Sequence, residues 1–479
     1  MKERKKLMVN KFLLLNIIIT IISLIFLNFT TIEELALNFD KNLFIIGWLI
    51  NIYFVWSIYS IYKMKKHILD FSIVFLLFIF LFCNGQVFLY TLGVDIKQLS
   101  VLKISTEYEI IKATIYFYLS LIFYQNGALV CIKKSKNSEI KEVDYLYKKA
   151  IKICAVMLII ASIFTYFSIL IPRIKSSILY GYNYLYTNST QYSGIYGYLS
   201  KMFIPSLLLL LYTFKDKKIC FNSIIIVLLM LIICNLIIGT RGDALSILVI
   251  LIIFYDSYKK KFEGKKIIKL GLIVLLIMLI IPVIASFRRS ENKTSEGLIQ
   301  NIKENITDSE NNFLIKTISE LGYTMHSFIL TDQVVPEIID YKHGESYIAS
   351  ILMLIPSQLL GGYSFAEKAA LDTWLQNIHQ MSYGPGYSII AETYYNFGFY
   401  GGMCFTSILG YFFTKMFNLT SQNNNKKELL KILSLIFLYN SLIVVRFPFH
   451  STPRNIFYMY IIPYFLINSI YTTLKKENY

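Results

Sequence analysis

The sequence predicts an all-α, polytopic integral membrane protein with about twelve transmembrane helices. Of its 479 residues, 56% are hydrophobic and 16% are charged, whereas soluble domains contain about 45–50% apolar and about 25% charged residues. Long apolar runs such as 12–27 and 270–281 are typical of membrane spans. A soluble enzyme, a disordered protein and a disulfide scaffold are therefore excluded.

A helix needs about 20 apolar residues to cross about 30 Å of hydrocarbon, and a scan on that basis gives twelve candidate spans. The eighth candidate is short, and it is included partly because the alternation of the loops requires it. The predicted spans are 12–29, 43–62, 68–92, 110–132, 150–171, 198–214, 219–238, 244–258, 267–286, 396–417, 429–447 and 455–474.

Lysine and arginine concentrate in alternate loops, and this asymmetry sets the predicted orientation. Most of the 47 Lys and Arg residues lie at the two termini and in the loops that follow the even-numbered spans. Both termini are therefore predicted to be cytoplasmic, and the net charge of +17 is a topology signal. Nucleic-acid binding would need basic residues interleaved with aromatics on a soluble face, and no such pattern occurs.

The N-terminus has the basic start and apolar core of a signal peptide, but no small-residue cleavage site follows Phe29. A retained first helix is therefore predicted. The six cysteines lie in or next to spans, so no disulfide framework is implied. The five histidines show no metal-ligand spacing, and neither a metal nor a cofactor is expected.

One long external segment, 287–395, separates the first nine spans (1–286) from the last three (396–479), and these three parts are the predicted domains. Loops of this length without a role are uncommon. Within it, 315–330 has helical patterning, and a further helix is predicted over 366–380. The apolar piece 347–360 contains Pro356 and is too short to span, so an interfacial or re-entrant segment is predicted there.

Five arginines lie at the predicted external ends of spans, where the positive-inside rule does not place them. Arginine in the membrane plane costs at least about 2.5–3.5 kcal/mol and therefore tends to be functional. Its guanidinium fork matches phosphate oxygens, so an external anion site is predicted, with a pyrophosphate as the expected ligand. Snorkelling, or pairing with Asp243 or Glu291, is the alternative for each one, and a sixth external arginine, Arg173, is given no role. The five are Arg241, Arg288, Arg289, Arg446 and Arg454.

A glycine-rich block, 384–402, reads GPGYSIIAETYYNFGFYGG. Glycines permit close backbone approach, and Ser388 is expected to cap the helix that follows. Glu392 then lies at the external membrane boundary, where a carboxylate can act as general base toward a hydroxyl. Tyr395 and Asn396 follow one turn later and are predicted to contact the substrate. The alternative role for Glu392 is an ion pair with one of the arginines.

His450 lies between Arg446 and Arg454 and is the histidine predicted to have a catalytic or phosphate-contacting role. A capping or core role is the alternative. The chain contains no GxSxG, P-loop or GxGxxG motif, which leaves no basis for serine-hydrolase, NTPase or dinucleotide chemistry.

A hydrophobic chain with GTRG between two spans, a long late loop and a GxGYSxxAExYxNFGxxG block resembles the O-antigen polysaccharide polymerases of the Wzy type. The resemblance covers most of the chain in architecture, and two short blocks carry it in sequence. It implies a glycosyltransferase of the bacterial plasma membrane whose active site faces outward. Such enzymes join undecaprenyl-pyrophosphate-linked oligosaccharide repeat units into O-antigen, capsule or exopolysaccharide, with no nucleotide sugar and no metal.

The resemblance also implies partners and site roles. The partners are the lipid-linked oligosaccharide, the lipid bilayer, and a chain-length regulator and flippase of the same pathway, with no nucleic acid. Glu392 would deprotonate the acceptor hydroxyl. Arg241, Arg288 and Arg289 would bind pyrophosphate, with Arg446 and Arg454 helping. The paired arginine–glycine loop motifs of some family members are not evident here.

Two other functions remain open at this stage. A ligase-type glycan transferase would share the anion site and differ only in its acceptor. A lipid-linked oligosaccharide flippase or other transporter suits twelve spans equally well. Transporters often have paired interrupted helices and ionisable residues at mid-membrane, whereas these spans contain few central charges.

Overall fold

A computed structural model describes residues 2–134, 143–180, 195–262, 313–355, 357–381, 384–419, 421 and 423–477. Across these ranges every regular element is helical and there is no strand, which confirms the all-α class. Predicted span 267–286, together with Arg288 and Arg289, lies outside the described residues.

Six helices in the described ranges are long and apolar enough to cross a membrane. They correspond to the first five predicted spans and the seventh. The total of twelve spans, the orientation and the three domain boundaries stay predictions. The six are Leu7–Phe29, Phe39–Lys65, Phe71–Thr91, Glu107–Lys134, Tyr145–Leu179 and Lys218–Ile238.

The other predicted spans are helical over most of their described residues, but the eleventh ends at Val444 and two others are divided. The sixth span is two helices, and the twelfth contains a π-helical turn. The corresponding elements are Ile195–Lys201, Phe203–Thr213, Arg241–Tyr258, Ile389–Phe417, Asn424–Val444, Ser451–Ile456, Phe457–Ile461 and Ile462–Glu477.

The chain forms two compact units, and the first contains 1–136, 315–418 and 444–453. Its central pair is Glu107–Lys134 and Ile389–Phe417, and we call the latter the site helix. A Cβ added at Gly127 would collide with the carbonyl oxygen of Ser407, and one at Gly410 with that of Tyr124. Glycine at these positions therefore lets the two backbones approach closely, as in other membrane helix pairs.

Short helices, most of them in the long loop, complete the first unit. The predicted helix 366–380 is divided because Ala370 leaves helical geometry, with φ −87° and ψ 72°. Ile348 and Ile351 are 59% and 56% exposed on the segment predicted to be interfacial. The short elements are Ile32–Leu37, Ile96–Gln98, Ser100–Ile104, Phe313–Gly322, Tyr323–Met325, His326–Asp332, Glu345–Leu352, Ser357–Leu360, Ala366–Ala369 and Leu371–Ile378.

The second unit contains 137–314, 419–443 and 454–479. Its long helix, Tyr145–Tyr180, packs against Phe203–Thr213 and Ile462–Glu477. Helices Lys218–Ile238 and Arg241–Tyr258 are joined by only two residues. The first of these, Gly239, has φ 96° and closes the preceding helix, as glycine does at helix ends.

Candidate functional site

The site helix is interrupted at Gly398, the glycine of the NFG sequence. Its φ of 71° and ψ of −167° belong to a region that residues with a side chain rarely adopt. A Cβ here would also lie 2.8 Å from Cζ of Tyr341. The interruption lies inside the predicted span 396–417 and separates a short first section, 389–397, from the rest of the helix.

The start of the site helix is anchored by hydroxyl groups. Ser388 Oγ accepts a hydrogen bond from the amide of Ala391 at 2.9 Å, which confirms the predicted cap. The Ser388 amide donates to Ser327 Oγ at 3.0 Å, and the hydroxyls of Tyr387 and Thr331 are 2.9 Å apart. These bonds fix the first section against helix His326–Asp332.

Glu392 is completely buried in this first section. Its Oε1 accepts a hydrogen bond from Ser346 Oγ at 2.7 Å, and its Oε2 accepts one from the amide of Phe449 at 2.6 Å. Within the described ranges it forms no ion pair, so the predicted alternative of an arginine partner is not found there. The carboxylate instead joins two segments, the site turn (342–346) and the arginine loop (445–450).

Burial raises the pKa of Glu392 to about 7, and the charge of Asp372 also raises it. The hydrogen bonds from Ser346 and Phe449 oppose these effects because they favour the ionised form. Glu392 lies one turn before the predicted span 396–417. A carboxyl group with a pKa near neutrality exchanges its proton readily at physiological pH, which is the property required of a general base.

Asn396 binds the site turn from the other side. Its Oδ1 accepts hydrogen bonds from the amides of Gly344 and Ser346 at 3.1 and 3.4 Å, and its Nδ2 donates to Ser346 Oγ at 2.8 Å. The backbone of the site turn adds a bond from the His343 amide to Asn396 O at 2.7 Å. Asn396 therefore positions the serine that bonds Glu392, and its predicted contact with substrate stays a prediction.

Tyr395 packs edge-on against Trp374, with the ring centroids 4.8 Å apart, and its side chain is buried. Two residues before Trp374, Asp372 has a buried Oδ1 that no described group hydrogen-bonds. Asp372 was not identified from the sequence. Nothing in its local pattern distinguishes it, because its importance depends on its position relative to Glu392.

The arginine loop contacts the beginning of the glycine block. The amide of Tyr387 donates to the carbonyl oxygen of Arg446 at 3.1 Å. Gly386 has φ 72°, and a Cβ there would lie 3.4 Å from Cγ of Arg446 and 3.5 Å from its Nε. His450 follows Phe449 in the same loop and is half-buried. Glu392, Arg446 and His450 are therefore brought to one region of the first unit.

Two other predicted arginines belong to the second unit. Arg241 is the first residue of helix Arg241–Tyr258 and follows the two-residue connection directly. The guanidinium carbon of Arg454 lies 5.3 Å from the ring centroid of Tyr198, which in turn stacks on Tyr458 at 4.5 Å. Arg454 also donates a hydrogen bond to the Tyr198 hydroxyl, so the ring and its hydroxyl together hold the guanidinium. A single site built from all five arginines stays a prediction.

Asp243 of the second unit is influenced by two cations that were given no role. Burial raises the pKa of Asp243, and the charges of Arg173 and Lys201 oppose this rise. Pairing with Asp243 was the alternative role for an external arginine, and Arg173 is an external arginine whose charge acts on Asp243. Lys201 lies inside predicted span 198–214. Cations are rare inside spans, so the sequence alone could have marked Lys201 as a candidate functional residue.

Comparison with known families identifies the chain. The family model of the O-antigen polysaccharide polymerase Wzy matches residues 12–478, nearly the whole length, and the chain therefore belongs to this family. This confirms the resemblance drawn from the sequence. Comparisons with curated proteins and with solved structures give no match. Membership makes the chain a multi-pass membrane polymerase of O-antigen repeat units, and it implies a lipid-linked oligosaccharide substrate.

Proposed function

We propose that this polymerase transfers a growing glycan from undecaprenyl pyrophosphate to the next lipid-linked repeat unit, at the outer face of the bacterial plasma membrane. Glu392 is the general base in this reaction. The observation that supports the role is a buried carboxylate, held by two hydrogen bonds, whose pKa burial raises to about 7. A base with a pKa near the working pH combines the ionised form with effective proton transfer.

In the proposed reaction Glu392 accepts the proton of the acceptor hydroxyl, and the hydroxyl oxygen attacks the anomeric carbon of the donor glycan. The bond from that carbon to the pyrophosphate oxygen breaks, and undecaprenyl pyrophosphate leaves. Arginine forks stabilise the charge that develops on the leaving group. Arg241, Arg288, Arg289, Arg446 and Arg454 are the candidates for this role, with His450 as a catalytic or phosphate-contacting residue and with Tyr395 and Asn396 as substrate contacts.

Access to Glu392 is part of the proposal because the site turn and the arginine loop cover the carboxylate. Each of its oxygens accepts one hydrogen bond, and an ionised carboxylate oxygen has capacity for a second. The acceptor hydroxyl reaches one of these oxygens when the arginine loop moves aside and uncovers the carboxylate.

The deciding experiment incubates the purified protein with a synthetic lipid-linked repeat unit and sizes the products on a gel. A ladder of longer glycans is expected. Unchanged substrate in the presence of a competent lipid would contradict the proposal, and a single transfer to a different acceptor would indicate a ligase.

Arg241→Ala should abolish the ladder without affecting membrane insertion. Arg241→Lys should restore little, because a point charge lacks the bidentate fork.

A further inference from the structure

A cleft of about 300 Å³ opens beside the site turn in the first unit. None of its side chains belongs to the reacting groups described above. The residues that matter for its chemistry are Lys342, His343, Glu345, Leu352, Phe365 and Lys368.

The charges of the cleft are mixed. Lys368 forms an ion pair with Glu345, and the hydrogen bond from Lys368 to that carboxylate raises the pKa of the lysine. Among the described residues Lys342 takes part in no ion pair. The two lysines and the one glutamate of the cleft therefore leave one positive charge that is not compensated within it.

The remaining surface combines an apolar floor with hydrogen-bonding groups. Leu352 and the ring of Phe365 supply apolar area, and Lys342, His343 and Glu345 supply donors and an acceptor. A sugar has the same two parts, since its C–H face packs on aromatic rings and its hydroxyls both donate and accept. A single carboxylate matches the one uncompensated positive charge of the cleft, whereas a pyrophosphate carries more negative charge than the cleft can balance.

The backbone of the cleft is bonded to the part of the site helix that carries Glu392. The amide of Lys342 donates to Tyr395 O at 3.2 Å, and the amide of His343 donates to Asn396 O at 2.7 Å. Ser346, the last residue of the site turn, donates to Glu392 itself. A ligand in the cleft is thus held by the same turn that covers the carboxylate.

We propose that this cleft is a subsite for one sugar residue of the acceptor glycan, and that Lys342 selects a sugar that carries a carboxylate. The inference rests on the proposed function, because it concerns the glycan that the polymerase extends. The volume admits a single ring, and the uncompensated ammonium group provides one charge-assisted hydrogen bond to an acidic substituent.

The test uses the full-length protein in detergent and isothermal titration with two soluble probes. One is a disaccharide that contains a hexuronic acid, and the other is the same disaccharide with the carboxyl group reduced to an alcohol. The wild type should bind the acidic probe about tenfold more tightly, which is what one charge-assisted hydrogen bond supplies. Equal affinities, or binding of neither probe, would overturn the inference.

Three variants test which residues cause the preference for the acidic probe. Lys342→Gln should remove the preference for the acidic probe and leave the affinity for the neutral probe within about twofold. Phe365→Leu should weaken both probes and keep the preference. Lys103→Gln changes an exposed lysine of the same unit outside the cleft. It should alter neither the preference for the acidic probe nor the affinity for either probe. An unchanged preference in Lys342→Gln contradicts the role of that lysine.

The ladder assay on the same preparations separates the two proposals. A wild-type ladder without binding of either disaccharide overturns the sugar subsite and leaves the polymerase mechanism intact. Selective binding of the acidic probe without a ladder contradicts the polymerase mechanism and supports the cleft as a carbohydrate site.

Discussion

The candidate residues of the two units are held by different kinds of interaction. In the first unit, Glu392 and Asn396 are fixed by short hydrogen bonds to a serine and to backbone amides. In the second, Arg454 lies over an aromatic ring, and Asp243 is influenced by surrounding cations. Directional bonds suit a group that must transfer a proton at a defined angle. Substitutions should therefore act sharply at Glu392 and more gradually at the ring that supports Arg454.

The largest effect is expected for Glu392→Gln. The substitution removes the base and places an amide NH₂ against one of two hydrogen-bond donors, the Ser346 hydroxyl or the Phe449 amide. The initial rate of ladder formation should fall by about 10²–10⁴-fold. Glu107→Gln, at an exposed carboxylate of the same unit, is the matched control and should retain activity. A rate for Glu392→Gln close to that of wild type would show that Glu392 is not the base.

The second prediction concerns the interruption in the site helix. Gly398→Ala forces a side chain into a positive-φ conformation and against the Tyr341 ring. The free energy of unfolding should fall by about 1–3 kcal/mol or more, and activity should fall with it. Gly384→Ala, where a new Cβ has nothing within 4 Å, is the control from the same block. Thermal unfolding in detergent compares them, and equal midpoints would contradict the strain argument.

The third prediction follows from the raised pKa of Glu392. Below about pH 7 the carboxylate becomes protonated, so the rate of ladder formation should decrease about tenfold for each further pH unit. Arg241 and the other arginines remain charged throughout this range and do not contribute to the inflection. A rate that is constant between pH 5.5 and 8 would exclude a base of this pKa.

The same ionisation affects stability with a definite sign. The pKa of Glu392 is taken as 4.5 in the unfolded chain and is about 7 in the folded protein. Between these pH values the folded protein therefore binds more protons than the unfolded chain. Stability from this group is therefore present at low pH and is lost as the pH rises toward 7. As the pH rises from 4.5 to 7, the thermal unfolding midpoint of Glu392→Gln should increase relative to that of wild type. The opposite trend would contradict the raised pKa of Glu392.

The smallest effect is expected at the ring that supports Arg454 in the second unit. Tyr198→Leu removes the ring beneath Arg454, whose interaction with a cation is worth about 0.5–2 kcal/mol. The KM for the lipid-linked substrate should rise by about two- to thirtyfold while kcat changes little. Tyr145→Leu removes an exposed ring of the same unit and serves as control. A loss of kcat without a change in KM would indicate that Arg454 does not act through binding.

Features with a local cause were accessible from the sequence. Apolar runs predicted the long helices, the position of Ser388 before a helical pattern predicted its cap, and the GTRG sequence predicted a minimal connection before Arg241. Each depends on residues that are neighbours in the chain. The resemblance carried by the glycine block and GTRG was likewise sufficient to identify the family.

Features with a tertiary cause were not accessible. Ala370 ends a helix without a glycine or proline, and Asp372 becomes relevant only because the fold brings its charge close to Glu392. The glycine block predicted close backbone approach in general, whereas the φ value of Gly398 and the Tyr341 ring show why glycine is required at that position. The cations that influence Asp243 are distant from it in the chain and could not be paired by spacing alone.

The bonds between the site turn and residues 392–396 also have a consequence for biogenesis. The carbonyl groups of Tyr395 and Asn396 receive amides from a segment about fifty residues earlier in the chain. That earlier segment leaves the ribosome first, so its amides have no partner until the following helix has been synthesised. A nascent chain arrested before Ile389 should therefore be cut by protease at the site turn, and completion of the next helix should protect it.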